Sequence, residues 1–300
     1  RDKVKKLVDN LITNLDLTLP IKEDDSMWII LMGIEHERIH IETSLVLHRQ
    51  MPLEYIKSST DFSTCKDSKN IPKNEMLKIP TCHVKLGKEK TDNLYGWDNE
   101  YGNYEEDVKE FSVSKYLVSN EEFMEFVKSG GYENKEFWDE EGQKFLQITN
   151  AKHPSFWVEE DGEYKYRTLT SIIDMPRSFP VDVNALEAEA FCRYKSKKDG
   201  VVYSLPSEAE YEAISWHVGL EEILDFDSKR ANQNLVNFSS SAINEHPFTL
   251  KDGNKIFDVV GNVWQWSRTP IRGFEGFEVH KAYDDFSTPT FDEKHAIING

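Results

Sequence analysis

The sequence predicts an α+β protein in two parts, a helical N-terminal segment followed by a larger domain of short strands, ordered loops and separate helices. Three observations point there. Val4, Leu7, Val8, Leu11, Ile12 and Leu15 recur at spacings of three and four, the period of one helix face. A polar stretch then separates this region from one with short strand-like runs and many aromatics. Within that second region, helix-capping patterns stand among glycine- and asparagine-bearing loops, a mixture that suits α+β architecture. The boundaries read as 1–56 for the helical part, 57–74 for a linker and 75–300 for the α+β domain.

The elements follow in order. The first helix carries the apolar face just named, and Pro20 is expected to end it. Asp24, Asp25 or Ser26 can cap a second helix from about Met27 to Gln50, stopped before Pro52. Trp28, Ile29, Ile30, Leu31 and Met32 nearly encircle its start, so it is expected to be central in a bundle. Two helices cannot bury that surface alone, and further helical partners are expected. The linker carries Ser58-Ser59-Thr60, Cys65-Lys66-Asp67-Ser68 and Pro72. Beyond it, Ser119 with Glu122, Asn184 with Glu187 and Ser207 with Glu210 have the spacing of capping boxes and mark three helix starts. No repeat of fixed period and no low-complexity tract is visible.

Composition narrows the function. The chain has 300 residues, more than one typical domain, and is 38% hydrophobic and 30% charged. No apolar run approaches the ~18 residues of a membrane span, and no secretory pattern opens the chain. A net charge of −18 argues against a nucleic-acid partner, because phosphates need a basic face. Cys65, Cys82 and Cys192 form no C-x-x-C and no disulfide framework, which fits a reducing cytoplasm. An opening without methionine suggests an excerpt of a longer polypeptide.

The chemistry-bearing pattern is His36-Glu37-Arg38-Ile39-His40. Histidines four apart on a helix project from one face, so both imidazoles can reach one metal ion. The same spacing also suits two histidines on a merely solvated or packed face. H-E-x-x-H is shared with zinc proteases, but a third ligand is needed. His48 lies roughly 12 Å further along the axis and cannot complete the site from the same helix. Imidazoles with open positions suit Fe(II) and oxygen chemistry as well as zinc, and spacing does not choose between them. Glu35, Glu37 and Glu42 read as surface charges, any of which could orient a ligand imidazole. The segment from Phe257 to Trp266 reads as a tight Gly-Asn turn with core aromatics, or as an aromatic wall to a pocket. Cys192 lies on the apolar face of its helix and reads as core.

The run from Gly33 to Ser44, with its two histidines, resembles the iron-binding helix of the nonheme iron sulfoxide synthases. Gly96-Trp97-Asp98-Asn99-Glu100, Leu205-Pro206-Ser207-Glu208-Ala209-Glu210 and Gly261-Asn262-Val263-Trp264-Gln265-Trp266 resemble their formylglycine-generating-enzyme-like domain. Gly276-Phe277-Glu278-Val279-His280, followed by Tyr283-Asp284-Asp285-Phe286, points to the ovothiol branch, which makes 5-histidylcysteine sulfoxide, over the ergothioneine-type relatives.

The resemblance implies a partial DinB-like helical bundle joined to a C-type-lectin-like α+β domain. It implies Fe(II) as cofactor, and cysteine, histidine and O₂ as substrates. His36 and His40 become metal ligands, with a third histidine expected on an earlier helix outside this chain. Asn262, Trp264, Gln265 and Phe277 become candidate substrate contacts. Where the family tends to carry an assisting tyrosine, the alignment places Arg272, which stays charged and suits a carboxylate anchor better than a proton donor. Rival readings on the same scaffold are a cysteine dioxygenase, an ergothioneine-type synthase or a non-catalytic lectin-like binding module; a zinc hydrolase ranks lower.

Overall fold

Helices and short antiparallel strands are mixed along the chain in the computed structural model, which describes residues 1–16, 18–59, 61–92, 95–220 and 230–300. Thr60 of the expected linker lies outside the described residues. Two compact units form, and neither is continuous in sequence. The first gathers 1–47, 85–106 and 270–295, and the second 48–84, 107–269 and 296–300.

In the first unit, helix α1 (Asp2–Asn14) has the amphipathic period expected, yet none of its residues is buried. It ends six residues before Pro20. The reason is local: Thr13 and Asn14 turn their side chains back to the carbonyls of Asp9 and Asn10, and Leu15 is already extended. Helix α2 (Ser26–Gln50) begins where the Asp25 carbonyl accepts from Trp28 N and its carboxylate accepts from Lys22 N. Of the α2 residues only Trp28 is buried, whereas Ile29, Ile34, Ile39 and Ile41 are exposed. Trp28 packs against Tyr95 and Tyr101, with ring centroids 4.7 and 5.9 Å away.

The other two segments of this unit are tied by a bridge between Asn103 and Glu275. Gly102 (φ +122°) permits that approach, since a Cβ there would stand 2.7 Å from Phe274 Cβ and 2.8 Å from the Glu275 carbonyl oxygen.

The second unit is built on aromatic packing. Helices α3 (Asn120–Lys128), α4 (Glu140–Thr149) and α5 (Ala185–Asp199) close over strands β1 (Trp157–Glu160), β2 (Glu163–Arg167) and β3 (Ile172–Asp174). Their core holds Phe123, Phe126, Phe137, Trp138, Trp157, Tyr166 and Phe191. The three strands pair antiparallel, with Tyr166 opposite both Trp157 and Ile173. All three expected helix starts form. Ser119 accepts from Glu122 N, and Asn184/Glu187 and Ser207/Glu210 bond reciprocally, the last opening α6 (Glu208–Val218). The 57–74 segment is fastened to this unit: Asp67 accepts from Ser178 N and Oγ, and Cys65 N donates to Ser239 Oγ.

Candidate metal centre

His36 and His40 stand on successive turns of α2, and the helix period turns both rings the same way. Their Nε2 atoms are 3.2 Å apart, with the rings edge to face at 72°. That separation suits two nitrogens bound side by side to one ion at ~2.1 Å each, which would subtend an angle of about 100°. Imidazoles, being borderline ligands, accept iron or zinc alike. Among the described residues no group of three or more His, Cys, Asp and Glu gathers for a metal, so the pair is a partial donor set. Glu35 is spent on Arg38 at 3.5 Å, and Glu37 and Glu42 are exposed.

One residue that sequence reasoning missed joins the pair. Tyr283 places its hydroxyl 3.4 Å from His36 Nε2, its ring edge-on to the imidazole at 5.7 Å. The run containing it stood out in the sequence as a family mark, but 247 residues separate it from His36 and no local pattern joins them. Around Tyr283 the aromatics are continuous. Trp97 stacks on Phe286 at 4.0 Å, and Phe286 lies 5.3 Å from Tyr283. The Asp98 carboxylate, 5% exposed, accepts from the His280 backbone N–H and from Ser287 Oγ.

The remaining expected site residues fall elsewhere. Arg272 lies exposed in the first unit with its guanidinium carbon 5.0 Å from the Tyr104 ring centre. Phe277 packs on Phe291 at 5.2 Å. Asn262, Trp264 and Gln265 belong to the second unit. Asn262 is occupied throughout: its Oδ1 accepts from Asn232 Nδ2, Ser241 N and Ser241 Oγ, and its Nδ2 donates to Asp258 Oδ1 and the Ser241 carbonyl. Gln265 donates to the Asp258 carbonyl at 2.7 Å, while Trp264 is exposed.

Asp258 itself is fully buried with Oδ2 lacking a hydrogen-bond partner, and burial pushes its carboxyl well above the ordinary range. Burial likewise pushes the Cys192 thiol up to about 11 and raises those of Cys65 and Cys82. None of the three is primed as a nucleophile, which needs thiolate. No helix among the described residues is long and apolar enough to cross a membrane.

Residues 61–283 match the family described as sulfatase-modifying factor enzyme 1-like domains. The chain is 24% identical over 294 residues to hercynine oxygenase of Mycobacterium tuberculosis, taking in 95% of this chain and 67% of that protein. It is 26% identical over 289 residues to hercynine oxygenase of Mycolicibacterium smegmatis, across 93% of this chain and 64% of the relative. Ergothioneine biosynthesis protein 1 of Schizosaccharomyces pombe is 24% identical, with 99% of this chain aligned to 37% of its length. The chain therefore spans about two thirds of the length of the mycobacterial proteins and little over a third of the yeast one.

Proposed function

We propose, from the premise that this chain belongs to the family of sulfatase-modifying factor enzyme 1-like domains, that it serves an Fe(II)- and O₂-dependent sulfoxide synthase that joins cysteine to the imidazole of histidine, as in ovothiol biosynthesis. The observation that carries the reading is the 3.2 Å spacing of the two Nε2 atoms, with the Tyr283 hydroxyl 3.4 Å from one of them. Of the relatives' names, hercynine oxygenase supports oxygen chemistry and ergothioneine biosynthesis protein 1 supports a related biosynthetic role. They equally favour a second reading, in which hercynine is the acceptor in place of histidine.

The reaction balances as cysteine plus histidine plus O₂ giving the sulfoxide conjugate and one water. One S–H and one ring C–H are lost, a C–S and an S–O bond form, and O₂ takes up four electrons. Iron held by His36 and His40 would supply the redox chemistry that couples dioxygen to sulfur. The chain's residues do the rest in this reading. The two imidazoles offer lone pairs from one helix face, and the Tyr283 ring, backed by Phe286, lies edge-on to His36 at 5.7 Å. Tyr283 places its hydroxyl 3.4 Å from His36 Nε2 and can relay the proton that leaves the acceptor carbon, taking it up as it passes its own on. Arg272, exposed and fork-shaped, suits a substrate carboxylate. Asn262 shapes its loop, since its side-chain donors and acceptors are engaged, and of the expected contacts Phe277 is the one in the unit that holds the two histidines.

The test is mass analysis of products after the Fe(II)-loaded protein meets cysteine, O₂ and either histidine or hercynine. A conjugate of cysteine and histidine with one added oxygen and two fewer hydrogens is expected. Preference for hercynine would move the assignment to the ergothioneine type. Cysteine sulfinate alone would remove conjugation from the reading.

A further inference from the structure

We infer that Asp98 is a positioning residue for Tyr283: its buried carboxylate fastens both ends of segment 280–287 and thereby fixes where the phenol is presented. The inference rests on the reading of His36, His40 and Tyr283 as one site. A carboxylate that is 5% exposed and hydrogen-bonds a backbone N–H and a hydroxyl is costly to keep in a fold, so those bonds must be specific ones. Both of its oxygens reach across the chain. Oδ2 accepts from the backbone N–H of His280 at 3.3 Å, and Oδ1 accepts from the hydroxyl of Ser287, itself 2% exposed. Tyr283 lies between these anchors.

The contact of Tyr283 with His36 is a single one, at 3.4 Å, whereas Asp98 holds the segment at two points. The segment's own frame adds to this. Tyr283 N donates to the His280 carbonyl at 3.1 Å, and Phe286 N lies 3.5 Å from the Tyr283 carbonyl. Trp97, the neighbour of Asp98, stacks on Phe286 at 4.0 Å, beside the second anchor.

The first anchor is also keyed to α2. The His280 ring stacks on Trp28 at 5.7 Å and 13°, and its Nδ1 accepts from Ala282 N. Trp28 and His36 are eight residues apart on one helix, roughly 12 Å along its axis. The segment therefore meets α2 at two points, through His280 at Trp28 and through Tyr283 at His36, and Asp98 sets the spacing between them.

The experiment places a single fluorine at the 3-position of the Tyr283 ring and records its ¹⁹F resonance in the otherwise unsubstituted protein, in Asp98→Asn and in Ser287→Ala. Asp98→Asn keeps the volume but loses one acceptor, and Ser287→Ala removes one anchor while leaving the carboxylate. One narrow line is expected in the first case, and broadened or multiple lines in both variants, with Co(II) affinity within about threefold. A displaced phenol should lower kcat by about 10- to 100-fold with KM little changed, as misplacement of about 1 Å can do. Resonances in both variants that superimpose on the unsubstituted one would overturn the proposal, as would a fall in kcat matched by loss of Co(II) binding. Broadened lines in a protein that neither binds Co(II) nor forms product would leave the clamp standing and refute the functional reading instead.

Discussion

His36→Ala or His40→Ala removes one of two nitrogens standing 3.2 Å apart, and the partner ring alone cannot chelate. Loss of an outer hydrogen bond to a ligand already weakens metal sites by about 10- to 100-fold, so loss of a ligand should exceed that. We expect stoichiometric Co(II) binding, followed by its visible absorption, to vanish in either variant; retained binding would move the metal elsewhere. Asp258 offers a second residue-scale test, in the other unit. Its folded pKa is raised, so the native state holds more protons than the unfolded state as pH rises above the usual Asp range. Its contribution is therefore fully present below the unfolded pKa and is lost as pH rises toward the folded one, at up to about 1.4 kcal/mol per pH unit. Asp258→Asn cannot ionise. Its stability in urea should match the parent near pH 4 and exceed it increasingly toward pH 7; parallel pH profiles would contradict the raised pKa.

At the scale of elements, the caps carry the helix starts. Asn184 bonds Glu187 N while Glu187 returns a bond to Asn184 N, and the same carboxylate accepts from the buried Tyr132 hydroxyl at 2.6 Å. Asn184→Ala should cost about 1 kcal/mol for the cap, and more where Glu187 loosens from Tyr132. Equilibrium denaturation of Asn184→Ala beside Ser119→Ala, whose cap has no second role of this kind, separates the two contributions. Equal losses would mean that the link to Tyr132 carries nothing. These starts were legible because a capping box is local, four residues read in order. The end of α1 was not. Pro20 is the obvious breaker, but Thr13 and Asn14 had already turned back onto the helix, and side-chain competition of this kind leaves only a weak mark in sequence. Of the apolar run that opens α2, only Trp28 is buried among the described residues, and the rest of that surface is what the further helical partners expected from the sequence would cover.

For the whole molecule, the same contrast decides what could be foreseen of the site. His36 and His40 were legible because one helix turn relates them. Tyr283 was not, because it reaches His36 only after the chain has passed through the other unit and returned, 247 residues later. The global charge, in contrast, is a sum and needs no fold to be read. A net charge of −18 leaves an excess of carboxylates that repel one another in the folded state more closely than in the unfolded one. Opposing this are exposed surface pairs such as Lys144–Glu140 and Lys197–Glu136, each of which contributes little because water screens it and two long side chains must be held still. Salt screens both contributions, but the repulsion is long-ranged and many-bodied whereas each ion pair is local and short. Raising KCl from about 10 to 150 mM shortens the screening length from ~30 to ~8 Å, which removes repulsion between distant carboxylates first. The melting temperature of the metal-free protein should therefore rise over that interval and level off above it. A fall would mean that the ion pairs outweigh the excess charge, and the acidic surface would then need a reason other than tolerated repulsion.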